Sequence, residues 1–165
     1  MKIIDEINIS MFKPHLYYTM KDKKVANILI FDIITSVVGF LFFMMSKLII
    51  GIFTGNFRKI LNYYLKYGPL NIISSILYMC IGLMFSALLL SAFFFIINKF
   101  KHRNNMRFYD MYNYATHMML ICVFLVNLFG PFVILIAIGY YMMALKGEDL
   151  GAKTGVHASK YLMKN

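Results

Sequence analysis

The sequence has few charged residues, and long stretches of it contain none. Charged side chains make up 15% of the 165 residues, against 61% for hydrophobic ones, which differs strongly from the composition of soluble domains. Residues 33–46 and 67–98 contain no Lys, Arg, Asp or Glu, and the second stretch exceeds the ~20 residues that span ~30 Å of hydrocarbon. The composition therefore excludes an ordinary soluble domain and predicts an integral membrane protein.

The sequence also lacks the motifs of most enzymes and metal proteins. Cys80 and Cys122 lie in apolar runs without CxxC or metal-ligand spacing, as expected for small buried side chains. The four histidines form no HExxH pattern, and no GxSxG marks a serine nucleophile. We therefore predict no enzymatic activity, no cofactor and no metal; an intramembrane hydrolase would need a nucleophile and a base that the sequence does not show.

Two features suggest nucleotide or nucleic-acid binding, and both have a simpler interpretation. The stretch GEDLGAKT, 147–154, imitates a phosphate-binding P-loop, but Ala152 occupies the second glycine position and no strand precedes it. We expect a solvated linker that leads to a surface helix. The net charge of +10 comes from short flanks of apolar segments, so the expected contact is with anionic lipid headgroups rather than nucleic acid.

The apolar residues predict four transmembrane helices. The first lies within residues 25–53, the second begins at Pro69 and ends near residue 98, and the third covers about residues 110–128. A hairpin turn at Gly130 and Pro131 then leads to a short fourth span that ends before Lys146. A single helix over 109–145 would be ~55 Å long at ~1.5 Å per residue, too long for one crossing.

The basic residues provide an independent test of this topology, because Lys and Arg collect on the cytoplasmic side. With four spans and a cytoplasmic N-terminus, residues 1–24, 99–107 and 146–165 hold 13 of the 17 Lys and Arg. Three spans would divide these residues almost equally. We therefore predict a cytoplasmic segment 1–24, a membrane domain 25–145 and a cytoplasmic tail 146–165.

Two shorter segments resemble helices that lie on a membrane surface. The N-terminal segment places its apolar residues at roughly helical spacing, and the segment 56–68 places Phe57, Ile60, Leu61 and Tyr64 on one face. The predicted fold class is therefore all-α, an integral membrane protein with four transmembrane helices and short interfacial amphipathic helices.

Small residues recur on one face of the second span. Ser75, Gly82 and Ser86 are separated by seven and four positions, which returns them to nearly the same angle around a helix. This face is predicted to allow close packing of a neighbouring helix, although such spacing also arises from scattered small residues.

Two ionisable residues, Asp32 and His117, fall inside predicted spans. Each lies seven positions from the expected start of its helix, or ~10 Å deep at ~1.5 Å per residue. An acid in hydrocarbon usually faces another helix and finds a partner, so a structural hydrogen bond between the two is one interpretation. A proton or ion relay is a second. In a third, the span begins near Ile33 and Asp32 lies among the headgroups.

Several segments resemble the Yip1 domain family of small polytopic membrane proteins. They are MFKPHLYYTMKD at 11–22, RFYDMYNYATHMML at 107–120, the LFGPF turn at 128–132 and YYMMALKGEDLGAKTGVHASKYLMKN at 140–165. The sequence departs from that family, which typically has five spans, because it has no fifth hydrophobic segment and no proline at the start of the third span.

The resemblance implies a non-enzymatic protein that organises membranes or binds partner proteins; eukaryotic members act in vesicle traffic with small GTPases. We expect a membrane-protein partner or a homo-oligomer, and the sequence does not identify a small-molecule ligand. The alternative is a small transporter or channel subunit in which Asp32 and His117 are coupling groups. Few polar residues are available to line a pathway within one chain, which favours the partner-binding interpretation.

Overall fold

The computed structural model describes residues 3–21, 23–100 and 106–154, and all of the regular elements in these ranges are helices. Helix α1 covers Ile3–Phe12, α2 covers Val25–Phe53, α3 covers Phe57–Phe100, α4 covers Phe108–Phe129 and α5 covers Val133–Thr154. Two 3-10 helices, Pro14–Met20 and Gly130–Phe132, connect α1 to α2 and α4 to α5. The predicted all-α class is confirmed.

The N-terminal segment packs into the end of the helix bundle. Helix α1 contacts α4, and the Pro14–Met20 helix contacts α5. Within α1 the polar side chains of Glu6 and Ser10 are buried, whereas Ile4 and Phe12 are exposed. Ile9 is also buried in the core, so α1 packs on the bundle through a face that combines polar and apolar side chains.

Helix α2 covers the whole apolar run within which the first span was predicted. Its buried side chains follow one helical face from Ile28 to Phe40, and this face packs against α3 and α4. At its far end Gly51 lies so close to α3 that a Cβ there would be 2.8 Å from Ile60 and 3.3 Å from the Phe57 backbone. A tight turn through Thr54 and Gly55, which has a φ of 71°, reverses the chain.

Helix α3 is interrupted at Gly68, which adopts a φ of 59° and a ψ of −160°. Only glycine reaches such a conformation easily. Pro69 follows at the start of the long second part, where its missing N–H would have had no helical partner. The break separates the segment 57–67 from the apolar helix, as the sequence predicted from Pro69.

Helices α4 and α5 form an antiparallel hairpin around Gly130, which has a φ of 54° and a ψ of −134°. The start of α4 and the end of α5 both reach the N-terminal segment: Asn113 bonds to the Met20 carbonyl, and Glu148 pairs with Lys21. The chain reverses at the Gly130–Phe132 3-10 helix, where the sequence places the hairpin turn. Helix α5 extends to Thr154, farther than the short fourth span expected from the sequence.

Three stretches of the described chain are long and apolar enough to cross a membrane: Val25–Phe53, Gly68–Phe100 and Phe108–Gly151, the last of which contains the hairpin. Helix α4 lies at the centre of the bundle and contacts α1, α2, α3 and α5. Twelve of its 22 residues are buried, including Asp110, Asn113, Thr116 and His117.

Candidate functional site: buried polar groups around helix α4

A network of hydrogen bonds fastens the N-terminal segment to α4 and α5. The Asn113 amide donates to the Met20 carbonyl at 2.5 Å, and the Tyr109 hydroxyl donates to the Lys23 carbonyl at 2.5 Å. From α5, the Tyr140 hydroxyl donates to the Met11 carbonyl at 2.5 Å. These bonds satisfy carbonyl groups at the end of α1, at the end of the Pro14–Met20 helix and just before α2, where helical partners are lacking.

His117 lies at the centre of this network and is fully buried. Its Nδ1 atom is 2.7 Å from the Asn113 carbonyl oxygen, and its Nε2 atom is 2.7 Å from Oε1 of Glu6. Because a carbonyl oxygen only accepts hydrogen bonds, Nδ1 carries a proton and donates it. The bond to Glu6 therefore needs a second proton, which His117 donates as an imidazolium or Glu6 donates as a neutral acid.

Glu6 carries the negative charge in this arrangement. Its burial raises the pKa of the carboxyl group, but hydrogen bonds from His117 and Lys23 and their positive charges outweigh this effect and hold the pKa below its ordinary value of 4.5. Lys23 forms an ion pair with the same carboxylate oxygen. The Glu6 carboxyl group is thus held between the His117 imidazole and the Lys23 ammonium group.

Aromatic rings enclose the imidazole. Phe31 of α2 stacks on His117 with ring centroids 4.3 Å apart, and Tyr17 contacts it edge-on at 6.2 Å. Burial raises the pKa of Tyr17 well above its ordinary value of 10.0. The phenol therefore stays neutral and donates to the Ser10 carbonyl at 2.8 Å. This shell excludes water and strengthens the electrostatic contacts inside it.

The predicted hydrogen bond between Asp32 and His117 is not formed, because Asn113 and Glu6 occupy both nitrogens of His117. The prediction missed Glu6 because it placed the N-terminal segment on the membrane surface. Asp32 is nevertheless fully buried rather than exposed beside the lysines. Its side chain faces Tyr112 on another face of α4, while the preceding Phe31 contacts His117.

The small-residue face of α3 does not pack against another helix of the chain. Gly82 and Ser86 are exposed, Ser75 is half-buried, and a Cβ at Gly82 would meet no atom within 4 Å. The close packing of α3 uses Ala87 and Ser91 instead, both fully buried. These two residues are also small and four positions apart, so the sequence contains two such faces and does not indicate which one the bundle uses.

An apolar groove lies beside this face. It has a volume of about 560 Å³ and is formed by α3, α4 and α5, with Ser86 among its lining residues. The other lining side chains are almost all apolar, among them Leu83, Phe93, Val126 and Ile134. A membrane helix or a lipid chain is compatible with such a surface.

Three remaining sequence features have structural explanations. Residues 147–154 continue α5 rather than forming a solvated linker, because Gly147 packs directly on the His15 backbone and Gly151 contacts Tyr18. Residues 155–165, which include the expected surface helix, lie outside the described residues. Cys80 and Cys122 are free thiols. Among residues 3–21, 23–100 and 106–154, no three His, Cys, Asp or Glu side chains gather into a metal site.

Sequence reasoning did not identify Glu6 and Lys23 as parts of the site. One signal was available: Glu6 and Ser10 are four positions apart and share one face of α1. Both side chains are buried in the structure, and Ser10 donates to the Glu6 carbonyl at 2.7 Å. On a helix with one polar and one apolar face, the polar face contacts either water or another part of the protein. The sequence alone does not show which of the two it contacts.

No protein-family model, curated protein or solved structure matches this chain.

Proposed function

We propose that this chain is a non-enzymatic, four-span membrane protein that binds another membrane helix through the exposed small-residue face of α3. The observation that carries this proposal is the open space around Gly82 next to the apolar groove. A helix can approach closely at a glycine, and close packing drives helix association in lipid, where apolar burial gives no net gain. The bound helix belongs to a second copy or to a partner protein.

The four-span topology is supported by the arrangement of the hairpin. Helix α5 has 22 residues, of which 133–145 carry no charge and are ~20 Å long at ~1.5 Å per residue, so this span is short and its charged end from Lys146 onward lies in the headgroup region. The start of α4 and the end of α5 both lie beside the N-terminal segment, which supports two antiparallel crossings. The distribution of Lys and Arg favours a cytoplasmic location for both termini and for the end of the bundle that contacts the N-terminal segment.

The test replaces Gly82 with leucine and uses Gly139→Leu as its control. Gly139 is also exposed, and a Cβ added there would also meet no atom within 4 Å, but it lies on α5. We expect Gly82→Leu to weaken self-association in liposomes about tenfold, measured by energy transfer between labelled copies, because a loss of ~1.4 kcal/mol is tenfold. If the wild-type chain does not self-associate, co-purification of a partner in mild detergent should show the same loss.

Equal association of the Gly82→Leu and Gly139→Leu variants would contradict the proposed face. The resemblance to the Yip1 domain family supports the same class of function, since its members act through partners rather than chemistry. For this chain the resemblance remains a proposal, and neither vesicle traffic nor a GTPase partner is assigned to it.

A small transporter or channel subunit is a second candidate, favoured by the burial of Asp32 and His117 inside apolar helices. Ionisable groups at such positions mark ion or proton paths in many membrane proteins. Flux of protons into liposomes containing the purified chain tests this candidate. Flux that is lost in Asp32→Asn, while helix association is unchanged, would favour transport over partner binding.

A further inference from the structure

A second buried polar cluster lies between α2 and α4, on a different face of α4 from His117. Asp32, Thr35 and Thr116 are each fully buried. Within the described part of the chain, both carboxylate oxygens of Asp32 and the hydroxyl oxygens of both threonines lack a hydrogen bond of normal geometry. Buried polar atoms are almost always paired, so four such oxygens in one region require an explanation.

The positions of these side chains bring their oxygens together. Asp32 and Thr35 are three residues apart, so they lie on one face of α2, and Tyr112 and Thr116 are four apart on one face of α4. The two helices pack against each other. The Tyr112 phenol interacts with both Asp32 and Thr116 and thus links the two pairs across the helix interface.

No cation of the described residues neutralises Asp32. Lys23 pairs with Glu6, and both nitrogens of His117 are taken by Glu6 and Asn113. The titratable groups on the other sides of the cluster are the Tyr112 phenol and, beyond it, the Cys80 thiol of α3. An ionised carboxylate with these neighbours inside hydrocarbon has neither water nor a positive charge to stabilise it.

We propose that Asp32 is a proton-binding site within the membrane, at which Thr35, Tyr112 and Thr116 hold the neutral acid. The neutral carboxyl group donates one hydrogen bond and accepts others, and hydroxyl groups can serve as donor or acceptor by rotation. Uptake of a proton removes the charge that the surroundings cannot stabilise. This site is separate from the partner-binding face on α3, and it would supply the proton-binding group of the transport candidate.

Infrared spectroscopy of the full chain in liposomes tests the proposal directly, because a neutral carboxyl group has a carbonyl stretching band that an ionised one lacks. The spectrum is recorded at about pH 6, where an exposed aspartate is ionised. We expect the band in the wild type, a shift of it in D₂O and its loss in Asp32→Asn. Glu6→Gln and Asp110→Asn are the matched controls and should retain it, because their carboxylates are ion-paired with Lys23 and Arg107.

Two further measurements keep the test decisive. Tyr112→Phe should move the carbonyl band to higher frequency, because this variant removes a hydrogen bond to the neutral acid. It serves as the test if the Asp32→Asn variant does not fold. Spectra in sodium chloride and in choline chloride separate a proton from a small metal cation. A wild-type spectrum without the band at about pH 6, or a band that appears only after sodium is removed, would overturn the proposal.

Discussion

Helices α3 and α4 are both long and apolar, yet they have opposite positions in the bundle. Helix α4 is central and buries more than half of its residues, whereas α3 exposes large side chains such as Leu70 at 78% and Tyr78 at 75%. The buried side chains of α3 are confined to one face, namely Ala87, Leu90, Ser91, Phe94 and Asn98.

The difference follows from the polar residues rather than from hydrophobicity. In lipid an exposed leucine costs nothing, so apolar side chains do not determine which helix is buried. Polar groups do, because each needs a partner that hydrocarbon does not provide. Helix α4 carries Asn113, Thr116 and His117 within five residues, and the other helices and the N-terminal segment surround it. Changes to contacts of α4 should therefore have larger effects on stability than changes to the outer face of α3.

The largest effect is expected from Glu6→Ala. It leaves the buried Lys23 ammonium group without its anion and the His117 Nε2 atom without its partner, and removal of one partner from a buried ion pair costs about 3–5 kcal/mol. The thermal midpoint of the purified chain in detergent should fall strongly, whereas Asp5→Ala, at an exposed position of the same helix, should change it little. A small effect of Glu6→Ala would show that α1 does not depend on this cluster.

A double-mutant cycle sharpens the same comparison. The combined variant Glu6→Ala and His117→Ala should lose less stability than the sum of the two single variants, because the residues are hydrogen-bonded. The cycle of Asp32→Ala with His117→Ala should show weaker coupling, since these residues share no hydrogen bond. Equal coupling energies in the two cycles would indicate that Asp32 contacts His117, as the sequence first suggested.

Gly147→Ala should have the next largest effect. A Cβ at this position would collide with the backbone of His15, so α5 must move away from the N-terminal segment, and overpacking of this kind costs about 1–3 kcal/mol. Gly139→Ala on the same helix meets no atom within 4 Å and should be nearly neutral. Similar thermal midpoints for both variants would argue that the Pro14–Met20 helix does not pack on α5.

A smaller effect is expected from acidic pH. The pKa of Glu6 is below its ordinary value of 4.5 in the folded chain, so its contribution to stability is complete above about pH 4.5 and is lost as the pH falls through the folded value. The loss should be smaller than that of Glu6→Ala, because a protonated Glu6 still hydrogen-bonds to its neighbours. Thermal midpoints of the wild type should decline more steeply than those of Glu6→Gln below about pH 4.5.

The smallest effect on the isolated chain is expected from Gly82→Leu. This position faces open space, so the change in the free energy of unfolding should stay within about 0.5 kcal/mol. Gly39→Leu is the contrast, because a Cβ there would collide with Met79 and Val123 side chains at the contact between α2, α3 and α4. Equal losses for the two variants in detergent would place Gly82 in an intramolecular contact.

The sequence by itself determined the helical class and the main breaks between helices. The apolar run 25–53, the break before Pro69 and the turn at Gly130 and Pro131 were all predicted and are present. These features depend on local properties: hydropathy over a window as long as a bilayer is thick, the missing N–H of proline, and the access of glycine to positive φ. The sequence left open whether Asp32 lies among the headgroups or inside the bundle, and the structure buries it.

Only the tertiary structure decided which groups meet. It pairs His117 with Glu6 across 111 positions of the sequence, directs Asp32 to Tyr112, and packs α3 through Ala87 and Ser91 instead of Gly82 and Ser86. In a membrane, apolar contacts do not favour one arrangement of helices strongly over another. Pairing therefore depends on the few polar side chains and on close steric fit, and both are properties of the assembled bundle rather than of any one segment.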